Sequence, residues 1–93
     1  MIRSFRNKGL ARFWETGKAS GITPQLAKRV RQRLDALDRT RDLMNLNSPV
    51  FRLHQWRKGR DAGRWSIDVN GPWRVTFAWR DGDAHDVDLE QPH

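Results

Sequence analysis

The residues of this sequence best suited to chemistry stand close together near its middle. His54 has Arg52 two positions before it and Trp56 two positions after it. A basic loop follows directly, formed by Arg57, Lys58, Gly59 and Arg60. Basic side chains neutralise phosphate, an imidazole moves protons and an indole stacks on a nucleobase. The segment therefore indicates a surface that could hold a phosphodiester.

Other catalytic arrangements find little support in the sequence. The three histidines, at positions 54, 85 and 93, lack metal-ligand spacing, and the chain contains no cysteine. No phosphate-cradling glycine motif and no Ser-His-Asp series stands out. We therefore expect neither a metal site nor a small-molecule cofactor.

The charge balance of the chain indicates an anionic partner. Eighteen basic residues against 11 acidic ones give a formal net charge of +7, and fourteen of the basic residues are arginine. Arginine presents a planar fork that suits phosphate, and it stacks on bases. Nucleic acid or the ribosome is the favoured partner, and a solvated basic surface or an acidic protein partner is the alternative.

The elements that position these residues are clearest between residues 64 and 90, where apolar and polar side chains alternate. This alternation predicts three β-strands, and Asn70-Gly71 and Asp81-Gly82 predict hairpins between them. Three-residue loops at 70–72 and 81–83 would keep the apolar side chains on one face. The opposed apolar pairs are then Trp65–Phe77, Ile67–Val75, Phe77–Val87 and Val75–Leu89.

The other face of these strands is polar and carries Ser66, Asp68, Arg74, Thr76, Arg80, Asp86, Asp88 and Glu90. In this register Arg74 lies between Asp68 and Glu90, which favours cross-strand ion pairs. Residues 50–56 also alternate, and this predicts one more strand. By strand parity, the polar face then gains Arg52, His54 and Trp56.

Two helices are predicted before the strands. Residues 7–16 have apolar side chains at helical spacing, namely Leu10, Phe13 and Trp14. Thr23 as N-cap and Pro24 in the first turn open the second helix. Its apolar stripe consists of Leu26, Val30, Leu34 and Leu37. Its opposite side carries Lys28, Arg29, Arg31, Gln32, Arg33 and Asp35. One more turn is expected near residues 43–46.

With a short edge strand at residues 2–6, the element order is β-α-α-β-β-β-β. The expected fold is α+β, with two N-terminal helices packed on one face of a mostly antiparallel sheet of four to five strands. The length of 93 residues predicts a single domain over residues 1–93. The uncovered polar face is where we expect the chemistry.

The sequence also predicts where the protein acts. No apolar run reaches membrane-spanning length, and the first residues, MIRSF, lack the apolar core of a signal peptide. We therefore expect a cytoplasmic protein with no membrane association.

The chain resembles the HigB branch of the RelE/ParE superfamily of bacterial toxins over nearly its whole length. The resemblance begins at Met1-Ile2-Arg3-Ser4-Phe5 and includes Leu53-His54 with the Lys-Gly loop that follows. It continues through Trp65-Ser66-Ile67, Val69, Trp73-Arg74-Val75, Phe77 and Gly82-Asp83-Ala84. It implies a RelE-like fold and a toxin that enters the ribosomal decoding site, cuts messenger RNA and is neutralised by a HigA-like helix-turn-helix antitoxin.

The resemblance also implies roles for individual residues. The reaction would be metal-free, with the ribose 2′-hydroxyl attacking the adjacent phosphorus. Arg74 would stabilise the extra charge on phosphorus and Lys58 would assist, although Arg57 also fits the loop position. His54 and His93 would be base and acid, in an order that the sequence leaves open.

The chain departs from the family at its last residues, and this leaves two alternatives open. HigB chains commonly end in Asp-Tyr-His, whereas this sequence reads Gln91-Pro92-His93 and contains no tyrosine. One alternative is a catalytically weakened, toxin-like module that binds antitoxin or RNA. The other is an inhibitor of DNA gyrase, as in ParE-type relatives.

Overall fold

The computed structural model describes residues 1–19 and 21–91, which form two helices and a four-stranded sheet. The elements are α1 (Lys8–Thr16), α2 (Pro24–Arg39), a 3₁₀ turn (Leu43–Leu46), β1 (His54–Gln55), β2 (Trp65–Asn70), β3 (Trp73–Arg80) and β4 (Asp83–Glu90). The strands lie in the order β1-β2-β3-β4, and every neighbouring pair is antiparallel. The predicted α+β, RelE-like architecture is confirmed.

Helix α1 is capped at both ends. The Asn7 side chain accepts a hydrogen bond from the Leu10 amide at 3.0 Å and so satisfies one free donor of the first turn. Gly17 adopts a left-handed conformation (φ 77°), and its amide donates to the Phe13 carbonyl. This conformation favours glycine, which explains why the helix ends there.

Helix α2 packs its predicted stripe inward, since Leu26, Val30, Leu34 and Leu37 are all buried. Thr23 occupies the N-cap position, but its side chain makes no capping hydrogen bond. Arg33, which we placed on the side opposite this stripe, is buried as well, with only 5% of it exposed. Its Nε donates to the Asp68 carbonyl at 2.9 Å, and its guanidinium lies 4.9 Å from the centre of the Phe51 ring.

A single hydrophobic core joins the helices to one face of the sheet. Its buried members are Leu10, Phe13, Ile22, Leu26, Val30, Leu34, Leu37, Leu46, Ile67, Val69, Val75, Phe77, Ala84 and Val87. Trp14, Trp65, Trp73 and Trp79 are partly buried and pack against its margin. The indoles therefore cover the edge of the core and are not part of its buried interior.

The strand register agrees with the prediction away from the turns. Trp65 lies opposite Phe77, Ile67 opposite Val75 and Val75 opposite Leu89. The predicted three-residue loops are wrong, since the pairs Asn70–Trp73 and Arg80–Asp83 leave two residues in each loop. An irregularity in each hairpin, between Asp68 and Asn70 and between Thr76 and Ala78, takes up the extra residue.

The predicted pair Phe77–Val87 falls at the second irregularity. It is not among the opposed pairs of the β3–β4 ladder, although both side chains are fully buried. Asp86 has a left-handed backbone there (φ 51°). This local turn shifts the pairing by one residue and still leaves the apolar side chains of both strands in the core.

The two remaining predicted strands are shorter than expected. Residues 2–6 form only isolated parallel bridges to β4, from Ile2 to Ala84 and from Phe5 to Val87. Residues 50–56 contribute only the two residues of β1. Arg52 has a left-handed backbone (φ 50°), and its amide donates to the Ser48 carbonyl at 2.8 Å. This turn prevents an extended chain before residue 53.

Within residues 1–19 and 21–91, no helix is long and apolar enough to cross a membrane.

Candidate nucleic-acid interface

Two adjoining grooves open on the polar face of the sheet, which the helices leave uncovered. The first, of about 670 Å³, is lined by His54, Gln55, Trp56, Arg57, Lys58, Arg60, Asp61, Glu90 and Gln91. The second, of about 770 Å³, is lined by Asn47, Ser48, Pro49, Arg52, Leu53, His54, Trp56, Ser66, Asp68 and Arg74. His54 and Trp56 belong to both and form the wall between them.

Strand pairing positions the polar side chains in two rows across the sheet. His54 lies opposite Ser66, Ser66 opposite Thr76, and Thr76 opposite Asp88. The neighbouring row consists of Asp68, Arg74 and Glu90. Directly opposed residues of a sheet point to the same face. The rows therefore bring the imidazole of β1 and the guanidinium of β3 to the same surface.

Arg74 is held in one orientation by three acceptors. Its Nε lies 2.8 Å from Asp68 Oδ1, and its Nη1 donates to the Gly71 carbonyl at 2.7 Å and the Trp73 carbonyl at 3.0 Å. The side chain is 25% exposed, so the guanidinium is fixed from behind and remains open to a ligand. A donor fixed in this way does not need to reorganise when charge develops on a bound group.

The Arg52 side chain is held by fewer contacts than that of Arg74 and is more exposed. Its Nη1 lies 3.6 Å from Asp68 Oδ2, and 72% of its side chain is exposed. Asp68 therefore lies between two arginines, one fixed and one free to follow a ligand. The turn at residues 48–52 brings Arg52 to this groove although the predicted strand is absent there.

The acidic neighbours of Arg74 are only partly as predicted. Glu90 lies opposite Arg74 in the register, and the ion pair with Asp68 is confirmed. The ion pair with Glu90 is not found in the described part of the chain. The Thr76 hydroxyl instead donates to Glu90 Oε2, and Arg64 Nη2 donates to that hydroxyl at 3.0 Å.

Sequence reasoning missed the buried polar layer beneath this surface. Arg64 is 6% exposed, Ser66 3% and Thr76 0%, although we expected Ser66 and Thr76 on the open polar face. Burial is the main cause of a lowered pKa of Arg64, and the positive charge of Arg6 adds to it. Arg64 shares the strand parity of Ser66, which is the only sequence signal for its position.

The grooves divide the predicted site residues between them. Arg57, Lys58 and Arg60 are exposed and line the first groove, whereas Arg52 and Arg74 line the second. Lys58 and Arg74 are therefore not brought into one groove. His93 lies outside the described residues. The catalytic and RNA-binding roles of these residues stay predictions.

Two helices over one face of a four-stranded antiparallel sheet, with a basic, histidine-bearing polar face, are the features of a RelE-like toxin. The model of the HigB-like toxin family, described as the RelE-like toxin of type II toxin–antitoxin system HigB, matches residues 3–93. The chain belongs to this family, and membership implies an antitoxin partner.

Two relatives agree with this assignment. The chain is 40% identical over 93 residues to "Endoribonuclease HigB" of Proteus vulgaris, with all of both chains covered. It is 30% identical over 94 residues to "Toxin HigB-1" of Vibrio cholerae serotype O1, with 100% of this chain and 98% of the relative covered.

Proposed function

We propose that this protein is a cytoplasmic, ribosome-dependent endoribonuclease that inhibits translation by cutting messenger RNA in the decoding site. The observation that carries the proposal is the Arg74 guanidinium, fixed on Asp68 in the same groove as His54. The 40% identity to a protein named an endoribonuclease supports the reaction class. The net charge of +7 suits a surface that approaches RNA.

In the proposed reaction, the ribose 2′-hydroxyl attacks the adjacent phosphorus and the 5′-oxygen of the next nucleotide leaves. Arg74 stabilises the extra negative charge on the phosphoryl oxygens, with Lys58 assisting from the first groove. His54 and His93 exchange the two protons: one accepts the proton of the attacking hydroxyl and the other protonates the leaving oxygen.

The remaining groove residues hold the RNA strand. Trp56 offers an indole on which a base can stack, and it lies in the wall between the grooves. Arg57 and Arg60 in the first groove and Arg52 in the second neutralise phosphates on either side of this wall. The RNA backbone then crosses His54, with the cut phosphodiester nearest to it.

The test uses purified protein, ribosomes and a translated message, with cleavage mapped by primer extension. The proposal predicts cuts in ribosome-bound message that are absent with free message. Cleavage of free message at the same rate contradicts ribosome dependence. Inhibition of gyrase supercoiling without cut message indicates a ParE-like toxin, and binding without a cut indicates a non-catalytic module.

The proposed partner is a HigA-like antitoxin with a helix-turn-helix domain. Toxins of this class are neutralised by complex formation, so coexpression of such an antitoxin should restore growth to cells that produce this chain. The two proteins should then copurify. Continued growth arrest in the presence of a soluble antitoxin encoded beside the toxin contradicts the pairing.

A further inference from the structure

A chain of hydrogen bonds runs from a buried guanidinium to a carboxylate at the wall of the first groove. Arg64 Nη2 donates to Thr76 Oγ1 at 3.0 Å and to the Asp86 carbonyl at 2.8 Å. Thr76 Oγ1 in turn donates to Glu90 Oε2. Arg64 is 6% exposed and Thr76 is fully buried, whereas Glu90 lines the groove beside His54.

The chemistry of the three groups fixes the direction of this chain. A guanidinium has only donors, so the Thr76 oxygen must accept from Arg64. The single hydroxyl proton of Thr76 then points to Glu90 Oε2, which accepts the hydrogen bond. Thr76 and Arg64 thereby hold one carboxylate oxygen from below, while Glu90 remains at the groove wall.

A structural role alone leaves part of this arrangement unexplained. Burying a guanidinium is costly unless its donors are paired. Within residues 1–19 and 21–91, however, Arg64 Nε is a buried donor without a hydrogen-bond partner. Native proteins leave few such groups unpaired, and each calls for an explanation. Here the buried charge supports a carboxylate at the edge of the candidate site.

We propose that Arg64 and Thr76 are positioning residues that hold Glu90 so that, in the bound substrate, its carboxylate accepts a hydrogen bond from the 2′-hydroxyl of the ribose at the cut and orients the oxygen, before that hydroxyl turns and passes its proton to the histidine base. This inference rests on the proposed endoribonuclease function. A carboxylate repels phosphate, so its partner on RNA must be a donor. Glu90 stands opposite Arg74 in the sheet. The 2′-hydroxyl is the RNA donor nearest to the phosphorus that Arg74 is proposed to contact.

Two substitutions at one buried position separate the hydroxyl from the packing. Thr76→Val keeps the volume and loses the hydroxyl, whereas Thr76→Ser keeps the hydroxyl and loses a methyl group. On ribosome-bound message, Thr76→Val should lower kcat by about 10-fold or more with little change in KM, since misplaced reacting groups slow the chemical step. Thr76→Ser should retain most of the wild-type kcat.

A double-substitution cycle tests whether Thr76 acts through Glu90. Glu90→Gln should lower kcat by about 10²-fold. Adding Thr76→Val to Glu90→Gln should then cause no further loss, because the hydroxyl has no carboxylate left to position. Asp81→Asn is the matched control and should leave kcat unchanged: it removes an exposed carboxylate from the loop between β3 and β4, and asparagine tolerates the left-handed backbone there.

The outcomes are decisive in each case. Equal kcat for Thr76→Val and Thr76→Ser, or additive losses in the cycle, overturns the inference while cleavage by the wild type upholds the proposed function. If Thr76→Val does not fold, Glu90→Gln decides alone, and an unchanged kcat overturns the inference. A wild-type protein that never cuts ribosome-bound message overturns both.

Discussion

The Asp68 carboxylate holds the Arg74 guanidinium across the β2–β3 hairpin, with 2.8 Å between Oδ1 and Nε. The two residues are directly opposed in the ladder, so the sheet itself sets the distance between their backbones. Arg33 of α2 also holds the backbone of Asp68, because its Nε donates to the Asp68 carbonyl. The cation proposed to meet the reacting phosphate is therefore anchored to paired backbone of the sheet, directly beside the irregularity between Asp68 and Asn70.

Asp68→Asn should lower the cleavage rate without unfolding the protein. The substitution keeps the shape and the Asp68 carbonyl that binds Arg33, but it removes the charge that orients Arg74. We expect a loss of about 10-fold to 100-fold in kcat, since small displacements of a catalytic group have effects of this size. Because the ion pair is partly exposed, the free energy of unfolding should change by less than about 1 kcal/mol. Single-turnover cleavage and urea unfolding measure the two quantities, and an unaltered rate would show that Arg74 needs no such support.

Arg74→Lys should behave almost like Arg74→Ala in the cleavage assay. Lysine keeps the charge but cannot reproduce the planar fork that contacts Asp68 and two carbonyls while facing a phosphate. We expect each variant to lose roughly 10²-fold or more in kcat. Arg80→Ala, an exposed arginine at the end of the same strand, should retain activity. Full activity of a folded Arg74→Lys protein would reduce the role of Arg74 to that of a point charge.

The basic loop beside the first groove should contribute to RNA affinity mainly through charge. Replacement of Arg57, Lys58 and Arg60 by alanine should weaken binding of a short single-stranded RNA, measured by fluorescence anisotropy. If all three contact phosphate, the slope of log K against log salt should fall by about 2, from roughly 0.7 per contact. The matched control replaces three exposed cations of the helices, Arg12, Lys28 and Arg39. An equal effect of both sets would indicate non-specific attraction.

Arg33 should stabilise the fold far more than its neighbours on α2. Its Nε donates to the Asp68 carbonyl, its Nη1 donates to Gln32 Oε1 at 2.8 Å, and its stem is buried. Arg33→Ala should lower the free energy of unfolding by about 2–3 kcal/mol through lost hydrogen bonds and packing. Lys28→Ala, on the exposed side of the same helix, should change it by less than about 0.5 kcal/mol. Comparable urea midpoints for the two variants would contradict the burial of Arg33.

Asp83 should make folding stability sensitive to acid. Hydrogen bonds from the N-terminal ammonium and from Arg3 lower the pKa of Asp83 below its ordinary value. Its contribution is therefore complete above the unfolded pKa, about 3.9, and is lost as pH falls through the lower folded pKa. Asp83→Asn should lower the urea midpoint at pH 7, and the difference from wild type should shrink below about pH 4. A difference that stays constant down to pH 2 would contradict this linkage.

Periodicity alone predicted much of the fold. The alternation between residues 64 and 90 gave the strands and the pairs around Val75, because a shift of one residue would turn a whole strand over. The spacing in α2 gave the buried stripe. The bulges that shorten both turn loops could not be predicted, since an extra residue near a hairpin leaves the apolar pattern intact.

The candidate site was harder to predict than the fold. His54 and Trp56 stand in both grooves, as expected from a basic, aromatic segment, but the strand that was to carry Arg52 is a left-handed turn. Strand parity shows which face Arg64 is on, but its burial depends on the residues that pack over it, which parity does not predict. The partner of Glu90 likewise could not be predicted from the register. Glu90 is directly opposite Arg74, but its carboxylate accepts a hydrogen bond from Thr76, its diagonal neighbour on β3.

The most direct test of the central claim is cleavage of a message that carries a single 2′-deoxyribose at the mapped cut. With purified protein and ribosomes, the all-ribose message should be cut to a fragment with a 2′,3′-cyclic phosphate and one with a 5′-hydroxyl. The substituted message should remain whole at that position, because the attacking oxygen is missing. Cutting of the substituted message at the same phosphodiester would contradict attack by the 2′-hydroxyl, and with it the roles proposed for His54 and Arg74.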